Sequence, residues 1–324
     1  MRVFADWLLQ QGHPAGELVI VQLERLTHDS AALADREHDL FWNHVVPYMK
    51  TVLGRDGVTQ FEWKRGLLHR VTLDHQGGEE ALDATLRKLA SDPCGRLVRR
   101  IEISAVQFDG AGDLQPALIE LASLALTRLA ELAIREGMNL GNPWIEGPIH
   151  IGDLTPIYHA YPQLQVLEIG GKECNFGTLD LPALRRLAID DMTPVDLASV
   201  AAAPLPSLAE LELFFGRWRV DNIDAVFRKL LDRAMPRLAT LSIAAEIPQV
   251  MQYLVRAVPA AALSKHVRVL AFRRGALDDD CVRTLVQWAP RLRTLERLEV
   301  EGRALSPEHR RTLEQTFGRM LVLR

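Results

Sequence analysis

The chain of 324 residues predicts an α/β solenoid, in which parallel strands line one face, helices pack behind them, and a separate helical segment caps the N-terminal end. Three observations predict it. Pairs of apolar residues two apart recur nine times, at Val71/Leu73, Ile101/Ile103, Leu132/Ile134, Leu167/Ile169, Leu187/Ile189, Leu211/Leu213, Leu241/Ile243, Leu270/Phe272 and Leu298/Val300. The steps between them are 30, 31, 35, 20, 24, 30, 29 and 28 residues, and most of these leave room for a helix. A proline stands shortly before several of the pairs, as in YPQLQVLEI at 161, LPALRRLAI at 181, LPSLAELEL at 205 and MPRLATLSI at 235.

Each element follows from side-chain periodicity. Alternation with period two marks a strand with one buried face, which predicts about nine parallel strands pointing the apolar pairs into one core. Between them, EEALDATLRKLA at 79, QPALIELASLA at 115, NIDAVFRKLLDRA at 222, IPQVMQYLVRAV at 247 and DDCVRTLVQWA at 279 place apolar residues three and four apart, the mark of an amphipathic helix. Pro162, Pro182, Pro206, Pro236 and Pro290 fall after a helical stretch and before a strand. A fixed φ and a missing N–H stop a helix there and favour extended chain.

Composition narrows the function classes. The charged fraction of 25%, the net charge of −4 and the pI near 6.2 supply no basic cluster for nucleic acid or an acidic membrane. Cys94, Cys174 and Cys281 have no metal-ligand or disulfide spacing, which points to a reducing cytoplasm. The first residues, MRVFADWLLQQGHP, lack the basic and apolar regions of a signal peptide, and no 18-residue apolar run exists, so export and membrane insertion are not expected.

Strand followed by helix at this period resembles the leucine-rich repeat superfamily, in its longer helix-bearing subtype, over residues 66–317. The resemblance implies a horseshoe with strands on the concave side. The Asn that usually follows the strand is missing from most copies, the step of 20 has room for a short connection, and APRLRTLERLEV carries three extra residues. Residues 1–65 are read as a helical capping domain, and 66–324 as the solenoid. The segment FADWLLQQGHPAGELVIVQ is similar to a repeat-companion domain of bacteria: Phe4, Ala5, Asp6, Trp7, Leu8, Gly12, Pro14, Gly16, Glu17 and Gln22 match its pattern, and the Arg-Gly turn in FEWKRGLLHRVTL matches its ending. That resemblance implies company with repeats and no reaction. Trp7, Trp42 and Trp63 are expected inside the cap.

No catalytic motif is present: there is no G-x-S-x-G, H-E-x-x-H, Walker loop or dinucleotide-binding glycine pattern. Asp278, Asp279 and Asp280 are adjacent on a helix and cannot converge on one ion, so they read as a cap. His28, His38 and His44 read as surface or capping residues. The middle residues of the pairs form one column, Thr72, Glu102, Ala133, Glu168, Ala188, Glu212, Ser242, Ala271 and Glu299, which faces away from the core and is mildly acidic. Two loops stand out. FFGRWRVDN at 214 concentrates Phe214, Phe215, Arg217, Trp218 and Arg219, residue types favoured at binding hot spots, and REGMNLGNPWIEGPIH at 135 carries Trp144. These residues, with Glu168, Glu210 and Glu212, are the expected contact surface for a protein partner carrying a basic patch. The expected protein is a monomeric, non-enzymatic, cytoplasmic bacterial scaffold needing no cofactor. The alternative is an adaptor whose N-terminal helices recruit a second protein while the repeats select a target.

Overall fold

All nine apolar pairs lie in strands. The structure is a computed structural model, and it describes residues 1–53, 60–64, 67–75, 82–105, 113–136, 150–191, 193–216, 220–233, 235–260, 266–275, 277–292, 294–301 and 305–324. It divides into two units, Met1–Gly152 with His159–Tyr161, and Asp153–Tyr158 with Pro162–Arg324.

The first unit opens with helices α1 (Arg2–Gln10), α2 (Ala15–Arg25) and α3 (Ala31–Asp39), a π-helical turn (Leu40–Val45), and α4 (Val46–Leu53). Strand β1 (Gln60–Lys64) follows, then β2 (Leu67–His75), α5 (Leu82–Ser91), β3 (Arg100–Ala105), α6 (Gln115–Ser123) and β4 (Glu131–Glu136). Strands β2, β3 and β4 are parallel, with Val71 opposite Ile101 and Ile101 opposite Leu132. β1 is antiparallel to β2 and shifts register between Glu62 and Trp63, so a strand lies within the segment read as a helical cap. The reason is in its sequence: QFEWK alternates apolar and polar residues, the period of a strand.

In sequence, β5 (His150–Asp153) and α7 (Thr155–Ala160) run through the division. The second unit continues with β6 (Val166–Gly170), β7 (Lys172–Asn175), β8 (Arg186–Asp190), α8 (Pro194–Ala202), β9 (Glu210–Phe215) and α9 (Val220–Leu231). It ends with β10 (Thr240–Ala245), α10 (Pro248–Ala260), β11 (Val269–Arg273), α11 (Asp279–Trp288), β12 (Arg297–Val300), α12 (Pro307–Phe317) and β13 (Leu321–Leu323). The order β6-β8-β9-β10-β11-β12-β13 is parallel throughout, with Leu167, Leu187, Leu211, Leu241, Leu270, Leu298 and Leu321 side by side. β13 adds a parallel strand to the nine expected, and its short LVL run lacks the proline and the full repeat that marked the others.

The proline is part of a turn. In LPAL the Leu184 N–H donates to the Leu181 carbonyl at 3.0 Å, and in MPRL the Leu238 N–H donates to Met235 at 3.1 Å. Proline thus takes the second turn position, for which its φ is preset, and points outward while the first and fourth residues enter the core. In APRLRTLERLEV two such hydrogen bonds follow each other, the Leu292 N–H reaching Ala289 and the Leu295 N–H reaching Leu292. After the turn, one carbonyl accepts two successive N–H groups of the next strand: Arg185 takes those of Ala209 and Glu210, Ala209 those of Ala239 and Thr240, and Ala239 those of Arg268 and Val269. The same contact repeating from strand to strand is what makes the copies equivalent.

Both residues of each apolar pair are buried. The expected helices are all found, and α11 begins as the capping reading requires, with the Asp278 carboxylate accepting the Cys281 N–H at 2.9 Å. The three tryptophans divide differently from expectation. Trp63 is buried, whereas Trp7 is 42% and Trp42 54% exposed. Ala5 and Leu8 take the inner face of α1, and Leu40 and Val45 take that of the π-helical turn, which leaves both indoles on the outside. Among the described residues, no helix is long and apolar enough to cross a membrane.

Leu187 has no exposed surface and sits between Leu167 and Leu211, so Leu187→Ala should lower the unfolding free energy by about 2–5 kcal/mol. Pro182→Ala, at an exposed turn position, should cost no more than about 1 kcal/mol. Chemical denaturation of the two variants checks the difference.

Candidate functional site

The face opposite the apolar pairs carries the outward column and its charged flanks. In the first unit Glu102 is nearly buried, yet it is held by three guanidinium groups: Arg70, Arg100 at 3.5 Å and Arg135 at 3.7 Å. Glu131 receives Arg100 at 3.1 Å and Arg99 at 3.3 Å. In the second unit Arg186 lies within 3.3 Å of Glu168, 2.9 Å of Glu210 and 3.1 Å of Glu212. Arg273 links Glu212 at 3.4 Å to Glu299 at 3.3 Å, and Arg297 and Arg324 close on Glu299 at 2.9 and 3.1 Å. Burial works against the Arg186 charge, but the hydrogen bond to Glu210 and the charges of Glu168 and Glu212 outweigh it and raise its pKa.

This lattice has a simple rule. Strands are about 4.8 Å apart, so like charges in one column on neighbouring strands would repel. Within each unit the column separates its carboxylates by small or neutral residues: Thr72, Glu102, Ala133 in the first, and Glu168, Ala188, Glu212, Ser242, Ala271, Glu299 in the second. Arginines from the flanking columns reach into the space the small residues leave.

At the C-terminal ends of the second unit's strands the pattern changes. The Arg274 guanidinium stacks 4.8 Å from the Phe214 ring centre, and its Nη1 lies 3.1 and 3.2 Å from the two Asp190 oxygens. Asp191 and Arg274 both adopt left-handed backbone, with φ of 52° and 55°, which is uncommon outside glycine. The Arg274 N–H donates to the Glu301 carboxylate. Gly216 leaves room for Asp191, since a Cβ at 216 would come within 2.2 Å of its carboxylate.

Of the residues expected to touch a partner, Phe214 is half-buried on this rim, while Phe215 is fully buried and packs edge-on against Phe227, with ring centres 5.8 Å apart. Their alternation along β9 sends neighbouring aromatics to opposite faces. Glu168, Glu210 and Glu212 come together around Arg186. Trp144, Arg217, Trp218 and Arg219 lie outside the described residues. Sequence reasoning passed over Arg274, whose meeting with Asp190 across 84 residues left no local signal.

A second polar cluster is buried in the first unit. Asp92 Oδ2 accepts from His13 Nε2 at 3.0 Å and Tyr48 at 3.2 Å, while Oδ1 accepts the Cys94 and Gly95 N–H groups at 2.8 and 2.9 Å. His13 Nδ1 accepts the Ala15 N–H at 3.1 Å, which places the ring proton on Nε2, facing Asp92. His13, Asp92 and Cys94 offer ligand atoms within 4.8 Å of one another. The hydrogen bonds already occupy the imidazole and both carboxylate oxygens, so the cluster joins the N-terminal helices to the end of α5 rather than presenting open ligands. Gly95 is required there, because a Cβ would lie 1.9 Å from the Leu89 carbonyl. Thiol chemistry is not favoured: burial pushes the Cys94 and Cys174 thiols up and Cys281 to about 12.

No protein-family model matches the chain, and no curated protein matches it. A solved structural-genomics target from Bacteroides fragilis is similar in fold, with a TM-score of 0.60 at 20% identity, covering 74% of this chain and 68% of that one. The class defined by fold is therefore a mixed α/β protein with a large, mostly parallel sheet, consistent with a repeat protein.

Burial works to raise the Asp92 pKa, but the hydrogen bonds from His13, Gly95 and Cys94 prevail and hold the carboxyl below its ordinary value. A folded pKa below the unfolded one means that the carboxylate stabilises the fold above about pH 4 and stops doing so as pH falls through the folded value. Asp92→Asn should cost at least ~2 kcal/mol at neutral pH, and the gap from wild type should narrow in acid. Urea denaturation across pH measures both.

Proposed function

We propose that this chain is a bacterial leucine-rich repeat protein with an N-terminal repeat-companion domain, acting as a non-enzymatic scaffold. Its partner is a protein that docks on the strand face and the adjoining strand ends. The repeat reading is supported by the nine in-strand apolar pairs and by the proline turn that precedes strands in successive copies. The binding reading is carried by the strand face of the second unit, where the half-buried Phe214 ring at the rim shares Arg274 with Asp190, and Glu210 and Glu212 lie on the same face of Phe214's strand. An aromatic surface bordered by carboxylates suits a basic protein segment and disfavours a polyanion such as nucleic acid. The reading includes a monomer working in the cytoplasm without a cofactor or membrane. It takes Trp218, Arg217, Arg219 and Trp144 as further contacts and Phe215 as the buried support for Phe214.

The adaptor reading is favoured by one observation, the exposure of Trp7 and Trp42 on the N-terminal helices. Exposed indoles on a segment that also packs on α5 through α4 and the His13–Asp92 bond leave that segment with a surface to offer a second protein.

Site-specific photo-crosslinking in the native host separates the readings. A crosslinker at Phe214 or Glu210 should capture a discrete partner, and one at Val195, exposed on α8, should not. Capture from Val195 with none from the rim overturns the strand-face reading. Capture of a second protein from Trp42 supports the adaptor.

A further inference from the structure

We propose that Asp190 and Phe214 form a guanidinium-binding subsite, that Arg274 is its internal placeholder, and that the segment taken up there is an arginine-bearing peptide whose side chain displaces Arg274. This deepens the strand-face reading above and rests on it.

The occupant already in place shows the chemistry. A planar cation lies over an aromatic ring 4.8 Å away while its nitrogen meets a carboxylate at 3.1 Å, a combination suited to arginine more than to lysine, because the guanidinium stacks and bonds at once. Arg274 reaches that position from the end of β11, across β10, to the ring on β9 and the carboxylate at the end of β8. The contact is not part of the core: the Arg274 and Asp190 side chains are 59% and 46% exposed, and exposed pairs hold weakly against exchange. The frame around it is fixed separately. Left-handed backbone at Asp191 and at Arg274, the Gly216 gap and the Arg274 N–H to Glu301 bond set both rims without using the guanidinium. Among the described residues Arg274 is the cation paired with Asp190, whereas Glu210 and Glu212 are held by Arg186. Removing the Arg274 side chain therefore empties one subsite and leaves the rest of the lattice in place.

The test uses the full chain and two labelled probes, hexa-arginine and hexa-lysine, at fixed ionic strength. If the placeholder fills the subsite nine-tenths of the time, Arg274→Asn, whose side chain tolerates left-handed backbone, should bind hexa-arginine about tenfold more tightly than wild type. Arg274→Ala should repeat the gain. Adding Asp190→Asn or Phe214→Leu should abolish it, and hexa-lysine should gain less. Arg268→Ala removes an equal charge at an exposed site paired with Glu296 and should give no comparable gain. Melting temperatures confirm that each variant is folded, and an unfolded Arg274→Asn leaves the decision to Arg274→Ala. No gain on removing Arg274, a gain that survives loss of Asp190 or Phe214, or an equal gain from Arg268→Ala overturns the inference. Rim crosslinks to a partner that persist after such a result leave the strand-face reading standing. A gain in hexa-arginine binding with natural crosslinks from Val195 alone overturns that reading and keeps the subsite.

Discussion

Parallel register is the constraint on which the structure depends. Side chains alternate across a strand, so a one-residue slip between β8 and β9 would turn Leu211 and Leu213 to the charged face and put Glu210 and Glu212 into the core. Two features recur at successive steps and hold the register there. The proline turn drives its first and fourth residues inward, and the carbonyl before each strand accepts two N–H groups from the next. Neither depends on the helix behind the strand, which is why a step of 20 residues, with β7 in place of a helix, keeps the same pairing as a step of 30.

Once register is fixed, electrostatics on the opposite face follow. A parallel array repeats each column at close spacing, so a column of carboxylates would be self-repelling. This chain breaks the column with Ala188, Ser242 and Ala271 and fills the gaps with Arg186 and Arg273, each of which serves more than one glutamate. Glu299, almost fully buried, takes three arginines, which replace the hydrogen bonds that water would otherwise supply.

The repeats were legible in the sequence because their determinants are local. Leu187 and Ile189 declare a strand, Pro182 a turn and Asp278 a helix start within a few residues of each position. Trp7 and Trp42 were misread because hydrophobicity predicts burial only where space exists, and Ala5, Leu8, Leu40 and Val45 had filled it. The antiparallel β1 and the short β13 lay outside the repeat pattern. The site was less legible. Phe214, Glu210 and Glu212 could be picked out by type, but their pairing with arginines depends on side chains brought together from different strands, and the Asp190–Arg274 contact spans four of them. The His13–Asp92 bond, 79 residues apart, was hidden for the same reason.

A face whose charges are already paired chooses partners differently from a bare acidic patch. Bare carboxylates attract any polycation, strongly at low salt and weakly at high. Where each carboxylate has an internal guanidinium, a partner must replace one ion pair with another, and the net gain is small unless its cation also fits what surrounds the pair. At Glu212 and Glu299 the arginines are half-buried and shared, so exchange would strip a second glutamate of its partner. At Asp190 the arginine is exposed and serves one carboxylate, with an aromatic ring beneath it. The lattice thus concentrates exchange at the rim, where displacing one side chain disturbs neither the register nor the remaining pairs.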